Sequence, residues 1–425
     1  MIKEFTVPGS VTFRVTPPLY LPFFNRWGEN AYFKYEPFEL DPFKLNAVST
    51  SGSPVVLTPN GFFGFMNEAG GRFFYDGAGI LTVYGAQGQR LYYSEDCSPF
   101  AEWSNYSAEV LKGFPKRENQ DFWSDIEYCT WVEQKKEAVL AGSKDMHSRL
   151  CEGLVYDYME RVEKMGLPKG KLTIDDGWYI RKDEEGKLLY GEWEIDTVKF
   201  PDMERLVRDI KAKGFIPGLW FAPFTFTPNC RLAKEHPELI GGIYAQNNEL
   251  GYTWVYIKPD EVLREYYTDI FTKYIGMGFR KFKLDIAYGP KQDMKKLLQM
   301  MYGIIKGIDE TVEVECHIPD IFVSRYCDTV RMNDVNFDDN GLWRGTAMEH
   351  YKVCRNSSPD TVINLDHLGT NTPIPKKEEY LEHSKMILKL DGGYPCVSLL
   401  PDFFGEEAVS EFVTAVWDWK NRNGK

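Results

Sequence analysis

The run Lys171-Leu-Thr-Ile-Asp-Asp-Gly-Trp178 starts as a short β-rich segment and ends on two adjacent carboxylates, a glycine and a tryptophan. The candidate strand in it, Lys171-Asp176, is one of eight short β-rich runs, the others being Tyr128-Trp131, Ile216-Pro223, Lys281-Ala287, Val312-Ile318, Thr329-Asp334, Thr361-His367 and Tyr394-Leu400. Amphipathic segments that read as helices lie between them, including Lys144-Met165, Met203-Lys213, Glu261-Met277 and Lys376-Leu390. Eight strands alternating with helices between residues 128 and 400 fill a length close to the ~250 residues of a (β/α)8 barrel. An open doubly wound sheet is the rival, but no strand here is followed by the G-x-G-x-x-G turn of a dinucleotide fold.

Upstream the punctuation differs. Residues 1 to about 120 carry short strand-like runs, Val11-Val15, Ala31-Tyr35 and Ile80-Tyr84, broken by Pro-Gly, Thr-Pro-Asn-Gly and Gly-Gly turns. The expectation is an N-terminal antiparallel β-sandwich over residues 1–122 with no long helix, followed by an α/β TIM barrel over residues 123–425. A chain of 425 residues has room for both.

Composition narrows the function. With 50 Lys plus Arg against 63 Asp plus Glu, the net charge of −13 disfavours a broad basic surface and makes nucleic acid an unexpected partner. No run approaches the ~18 apolar residues that span a bilayer, and the N-terminus has no apolar stretch behind its positive charge, so neither membrane anchoring nor export is expected. The eight cysteines are scattered without a C-x-x-C pair, as in reduced core residues of a cytoplasmic protein. Aromatic residues make up 15 %, enough to provide flat platforms for sugar rings besides filling cores.

Barrel chemistry sits where strands end. The ends here read Trp131, Asp175 with Asp176, Trp220, Lys283 with Asp285, His317, Arg331 with Asp334, and Asp366 with His367. Carboxylates gathered with Lys and Arg in one pocket suit substrate binding and acid–base work, because buried charges need partners or a function. His317 and the Asp366-His367 pair also invite a metal reading. Metallohydrolase barrels commonly use H-x-H or H-E-x-x-H spacing, and the six histidines show neither, so no metal or other cofactor is expected.

Leu172-Thr-Ile-Asp-Asp-Gly-Trp178, followed by Gly191-Glu-Trp-Glu-Ile-Asp-Thr-Val-Lys-Phe-Pro201 and Gly214-Phe-Ile-Pro-Gly-Leu-Trp-Phe-Ala-Pro223, resembles the retaining α-galactosidase clan, with families thirty-six and thirty-one of the glycoside hydrolases as its nearest members. The resemblance runs from about residue 125 to 300 and more loosely to 400. It implies that Asp285, in Lys283-Leu-Asp285, is the nucleophile ending the fourth barrel strand and that Asp334 is the acid–base ending the sixth. The strand count made from the residues alone puts both on those same strands. By the same resemblance Asp175 and Asp176 hold the 4- and 6-hydroxyls of a galactose, Lys283 and Arg331 donate to ring hydroxyls, and Trp178 and Trp220 pack on the ring. His317 and Asp366 would complete the polar rim.

The chain departs from the clan in four places. Arg331-Met-Asn-Asp334 is one residue shorter than the clan's R-x-x-x-D, which leaves Asp338 and Asp339 open as alternative acids. Trp220-Phe-Ala-Pro223 lacks the Glu that family thirty-six tends to carry before the proline, Glu315-Cys-His-Ile-Pro319 replaces a Gly-rich turn, and the usual C-terminal β-domain is not expected in the roughly 25 residues after the eighth run. The expected activity is hydrolysis of terminal α-galactosides on small oligosaccharides by double displacement. An α-glucosidase, a raffinose-synthase-like transglycosidase, or a catalytically silent carbohydrate-binding barrel stand as alternatives. Oligomeric state, a homo-oligomer included, stays open.

Overall fold

A computed structural model of the chain describes residues 1–23, 32–46, 52–114, 118–247, 252–335, 337, 341–366 and 374–423. Eight parallel strands close into a barrel in chain order: Glu127–Cys129, Lys171–Ile174, Ile216–Phe221, Lys281–Leu284, Glu313–Cys316, Thr329–Arg331, Val362–Leu365 and Gly393–Val397. The ring is completed where Glu127 and Tyr128 pair with Cys396 and Val397. Each of the eight expected runs overlaps one strand, two of which, Glu127–Cys129 and Gly393–Val397, begin a residue earlier than expected, and each observed strand stops short of the expected C-terminal end. Asp175, Asp176, Asp285, His317, Asp334 and Asp366 therefore lie just past their strands, whereas Trp220, Lys283 and Arg331 still belong to theirs and Trp131 falls in the helix Thr130–Leu140.

Local signals account for the helices that brace these strands. In Met203–Ala212 the Asp202 side chain caps the start by accepting from Arg205 N, and Met203, Leu206, Val207 and Ile210 fall at i, i+3, i+4 and i+7, so one face is buried. Burial of each such side chain contributes roughly 1.5–3 kcal/mol. Glu261–Met277 is capped by Asp260 and ends at Gly278, whose φ of 112° needs a residue without Cβ. That helix delivers the chain into the fourth strand.

The barrel interior is charged rather than aliphatic. Glu127, Lys171, Lys281, Glu313 and Glu315 are all fully buried inside it, with Thr173, Thr329, Asn364 and Tyr394 between them. Barrels of this kind are usually filled by branched apolar side chains. Here Lys281 binds Glu127 at 2.5 Å and Glu315 at 2.7 Å, and Lys171 reaches Glu313 at 3.1 Å. Burial drives the Lys171 ammonium down to about 8 and the Glu313 carboxyl upward, whereas for Lys281 the two glutamates overcome burial and raise it.

The N-terminal region forms a six-stranded and a four-stranded antiparallel sheet, with Phe13, Phe63, Phe65, Phe73 and Leu81 among the buried side chains of the core they share. One expectation is overturned there: Pro99–Leu111 is a helix of 13 residues. Its buried residues, Trp103, Tyr106, Ser107 and Val110, follow helical spacing, and proline opens its first turn. The segment was hidden by its aromatic residues, which have low helix propensity but pack Trp103 and Tyr106 into the cluster shared with Ile321, Phe322 and Val353. A second feature absent from the sequence reading is a three-stranded sheet, Thr225–Phe226, Ile240–Asn247 and Tyr252–Ile257, inserted after the third barrel strand.

Candidate active site

Side chains alternate along a strand, so Lys281, Lys283 and Asp285 form one inward row on the fourth strand and its exit, and Glu313, Glu315 and His317 form the next. The top of each row reaches the barrel mouth. Asp285 Oδ1 accepts from Ile286 N at 2.8 Å and lies 3.4 Å from both His317 Nδ1 and Arg331 Nη2, while Oδ2 accepts from Trp220 Nε1 at 3.2 Å. Burial would raise this carboxyl. Arg331, His317 and Lys283 outweigh burial and hold it well below the usual carboxylate range, with Asp334 opposing them. Asp285 is thus an ionised group with 22 % of its side chain still open to solvent.

The residue after it is strained. Ile286 has φ of 55°, a region that costs a β-branched residue about 1–3 kcal/mol. The turn is held by the Ile286 N–H on Asp285 and by Thr225 Oγ1, which donates to Ile286 O at 3.0 Å. It fixes where the Asp285 carboxylate points.

Arg331 joins three carboxylates. Its Nη1 donates to Asp334 Oδ1 at 2.9 Å and to Asp366 Oδ2 at 2.6 Å, and its Nη2 reaches Asp285. Burial opposes the charge, but Asp366, Asp285, Asp334 and Glu315 keep the guanidinium protonated. Asp366 is almost fully enclosed, with 4 % of its side chain exposed, so it serves Arg331; Asp334, at 16 %, and Asp285 are the two that can meet a ligand.

On the second strand, Asp175 Oδ2 pairs with Lys283 Nζ at 2.8 Å and accepts from Cys129 Sγ at 3.0 Å, and Oδ1 accepts from Asp176 N at 2.8 Å. For Lys283, burial is outweighed by Asp175 and the ammonium is held above its ordinary range. Asp176 is even more engaged. Arg181 and Tyr179 donate to Oδ1, the latter at 2.9 Å, and Tyr190 OH donates to Oδ2 at 2.7 Å with His147 Nε2 at 3.2 Å. Against burial, Arg181 and His147 hold its carboxyl far below the usual range. Gly177, with φ of 123°, makes the turn beside the His147 backbone, where a Cβ would come to 3.1 Å of the His147 carbonyl.

The two tryptophans differ. Trp178 is fully buried, donates from Nε1 to the Trp220 carbonyl at 2.8 Å, and packs among Trp193, Phe221 and Tyr274. It presents no face to the mouth. Trp220 lies at the floor of the site, parallel to Tyr179 within 6° and bonded to Asp285. Tyr190, Trp254, Tyr244 and Tyr288 continue as a chain of ring contacts along one side of the mouth, the last pair stacked at 4.4 Å.

Nine of the ten candidate residues thus gather at or just beneath the mouth, and Trp178 stands behind it. The alternative acids Asp338 and Asp339, and His367, lie outside the described residues. Sequence reasoning missed Arg181, Tyr179, Tyr190 and His147, which surround Asp176, and Glu315, which lies under Arg331. The period-two spacing Glu313-Val-Glu-Cys-His317 was the available signal for Glu315. Among the described residues no group of three or more His, Cys, Asp or Glu side chains is placed to hold a metal, and no helix is long and apolar enough to cross a membrane.

A closed barrel whose mouth collects ionised carboxylates around buried cations, with aromatic rings beside them, has the build of a barrel glycoside hydrolase. The Melibiase family model matches residues 151–266. An alpha-galactosidase of Escherichia coli is 28 % identical over 144 residues, 32 % of this chain and 19 % of that protein; alpha-galactosidase AgaA of Geobacillus stearothermophilus is 31 % identical over 134 residues, 31 % of this chain and 18 % of its own. The matched stretches are thus less than a fifth of those relatives' length. In fold, TtGalA, an alpha-galactosidase from Thermus thermophilus in complex with stachyose, superposes with a TM-score of 0.70 at 15 % identity, over 97 % of this chain and 96 % of that one. AgaB from Geobacillus stearothermophilus, a family-thirty-six alpha-galactosidase, gives 0.61 at 13 % identity over 97 % of this chain and 62 % of its own. Over the matched stretches of sequence, and in fold, the chain is similar to α-galactosidases, including those of glycoside hydrolase family thirty-six.

Proposed function

We propose that the protein is a retaining exo-α-galactosidase acting on small α-galactosides, with its reaction carried by the barrel of residues 123–425 and the sheets of residues 1–122 as a separate domain. The observation that carries this reading is Arg331, one buried guanidinium shared by Asp285 and Asp334 at the mouth. Asp285 is ionised, immobilised through both oxygens and partly exposed, as an attacking carboxylate must be. It attacks the anomeric carbon while Asp334 protonates the departing oxygen; Asp334 then takes a proton from water, which displaces Asp285 from the sugar. Asp175, Asp176 and Lys283 line the side where the sugar hydroxyls would sit. Stachyose and raffinose bound to structural relatives support an oligosaccharide substrate. Eight free cysteines support a reducing, cytoplasmic location.

One observation favours the silent carbohydrate-binding barrel. Asp334 Oδ1 is engaged by Arg331 Nη1 at 2.9 Å, so that oxygen is held by the guanidinium rather than offered to a departing group. Hydrolysis of aryl α-galactoside and aryl α-glucoside side by side, with the anomer of the first-released sugar read by NMR, tests both readings. Release of α-galactose with little action on the glucoside is expected. Binding of galactose without turnover of either substrate would replace the enzyme with the binder, and equal turnover of the glucoside would replace the galactosidase with an α-glucosidase.

A further inference from the structure

The Glu315 side chain occupies the middle of the inward row on the fifth strand, between buried Glu313 and His317 at the mouth. Its Oε2 is saturated: Lys281 Nζ lies at 2.7 Å, Asn364 Nδ2 donates at 2.8 Å and Tyr394 OH at 3.1 Å. Its Oε1 is fully buried, has no hydrogen-bond partner among the described residues, and lies 3.8 Å from Arg331 Nε. Arg331 is therefore held from two sides. Its Nη nitrogens serve the three carboxylates above, and its Nε edge faces a fourth carboxylate below.

We propose that Glu315 is a positioning residue for the glycosidase reaction proposed above, whose negative charge, anchored by Lys281, Asn364 and Tyr394, seats Arg331 between Asp285 and Asp334 and sets the proton affinity of both. The charged and titratable groups facing Glu315 are Lys281 and Lys283 on the fourth strand, Arg331 on the sixth, Tyr394 on the eighth, Glu127 on the first, and Glu313 and His317 on its own. Lys281 is already shared with Glu127, so the charge of Glu315 is not cancelled where it meets Arg331. In a buried setting charges a few ångströms apart interact strongly enough to move a neighbouring carboxyl measurably.

Two effects of its removal act in one direction. Loss of a nearby negative charge lowers the proton affinity of Asp285 and Asp334, and Arg331, released from below, directs more of its charge at them. The nucleophile must be ionised and the acid protonated, so both limbs of the pH profile follow.

The test is Glu315→Gln, which keeps the shape and removes the charge. The kcat/KM of an α-galactoside should fall about tenfold, with both limbs moved toward acid by about half a pH unit or more. A lower rate or lower Tm with both limbs unmoved would reduce Glu315 to a structural role and overturn the proposal. Glu315→Asp withdraws the charge without removing it, and stands in if the Gln variant does not fold. It should shift the limbs less and in the same sense; a profile superimposable on wild type overturns the proposal. Should the unmodified protein turn over neither glycoside, the glycosidase reading fails by itself. A crystal structure of Glu315→Gln then decides on positioning: Arg331 displaced from Asp285 or Asp334 upholds it, and an unmoved guanidinium overturns it.

Discussion

Trp220 Nε1 donates to Asp285 Oδ2 at 3.2 Å, and this bond makes the floor of the site part of its alignment. The other oxygen, Oδ1, is held by Ile286 N and faces Arg331 and His317. Rotation of the carboxylate would break contacts on both sides at once. The side chain is thus set by the third strand, the fifth strand's exit and the sixth strand together, the preorganisation that the proposed attack on an anomeric carbon calls for.

Asp285→Ala should abolish turnover while leaving Tm within a few degrees, because Arg331 retains Asp334, Asp366 and Glu315. Trp220→Phe keeps the ring and removes the donor. Its kcat should fall about tenfold with KM little changed, since a positioning bond acts on the reacting geometry more than on affinity. Retention of more than about a tenth of wild-type activity by the alanine variant would exclude Asp285 as the covalent nucleophile.

Much of this arrangement was legible in the sequence because a barrel puts its chemistry at strand exits and the exits announce themselves as polar residues after apolar runs. Lys283, Asp285, His317, Arg331 and Asp366 were all found that way, and each sits at or beside the mouth. What could not be read depends on contacts between distant segments. Trp178 follows Asp175 and Asp176 closely, yet its ring turns backward into the cluster with Trp193 and Tyr274. The Asp176 partners His147, Arg181 and Tyr190 come from loops with no strand to place them. Lys281, Glu313 and Glu315 break the rule that strand interiors are apolar; each would be costly alone, and only closure of the barrel brings the opposite charges together.

Tyr190 provides a probe of the sugar side. Its hydroxyl occupies Asp176 Oδ2, while Arg181 and Tyr179 hold Oδ1. Tyr190→Phe leaves a carboxylate lone pair for a substrate hydroxyl and removes the bond from Arg181 Nη1 to the Tyr190 hydroxyl at 3.1 Å, while Arg181 keeps Asp176 Oδ1. We expect a change of about two- to fivefold in KM for an aryl α-galactoside, with little change for an α-galactoside lacking its 6-hydroxyl. Identical effects on both substrates would remove Asp176 from recognition of the sugar's C6 end.

Acid stability follows from the same carboxylates. Asp285 and Asp176 are held below their ordinary range in the folded chain, so between the folded and unfolded values the unfolded chain binds more protons and stability rises with pH. Their contribution is complete above the ordinary carboxylate value near pH ~4 and is lost as pH falls below it. A plot of Tm against pH should therefore be flatter for Asp285→Asn than for wild type between about pH 4 and pH 2. Parallel curves would mean that the pairing with Arg331 and His317 does not lower Asp285 in the folded protein.

Asp334 is the assignment on which enzyme and binder divide. Its Oδ1 accepts from Arg331 Nη1 at 2.9 Å, whereas a general acid must deliver a proton when the glycosidic bond breaks. The role is therefore tested by the leaving group. An aryl oxide of low pKa departs with little proton donation, and a sugar alkoxide does not. Asp334→Ala should lose at least about a hundredfold more activity on an α-galactosyl disaccharide than on an activated aryl α-galactoside, and azide should restore turnover of the aryl substrate by attacking the glycosyl-enzyme from the vacated face. Equal losses on both substrates, without azide rescue, would point away from Asp334. If Asp338→Ala or Asp339→Ala instead shows the leaving-group dependence, the acid lies further along the loop, and the short Arg331-Met-Asn-Asp334 spacing is the reason.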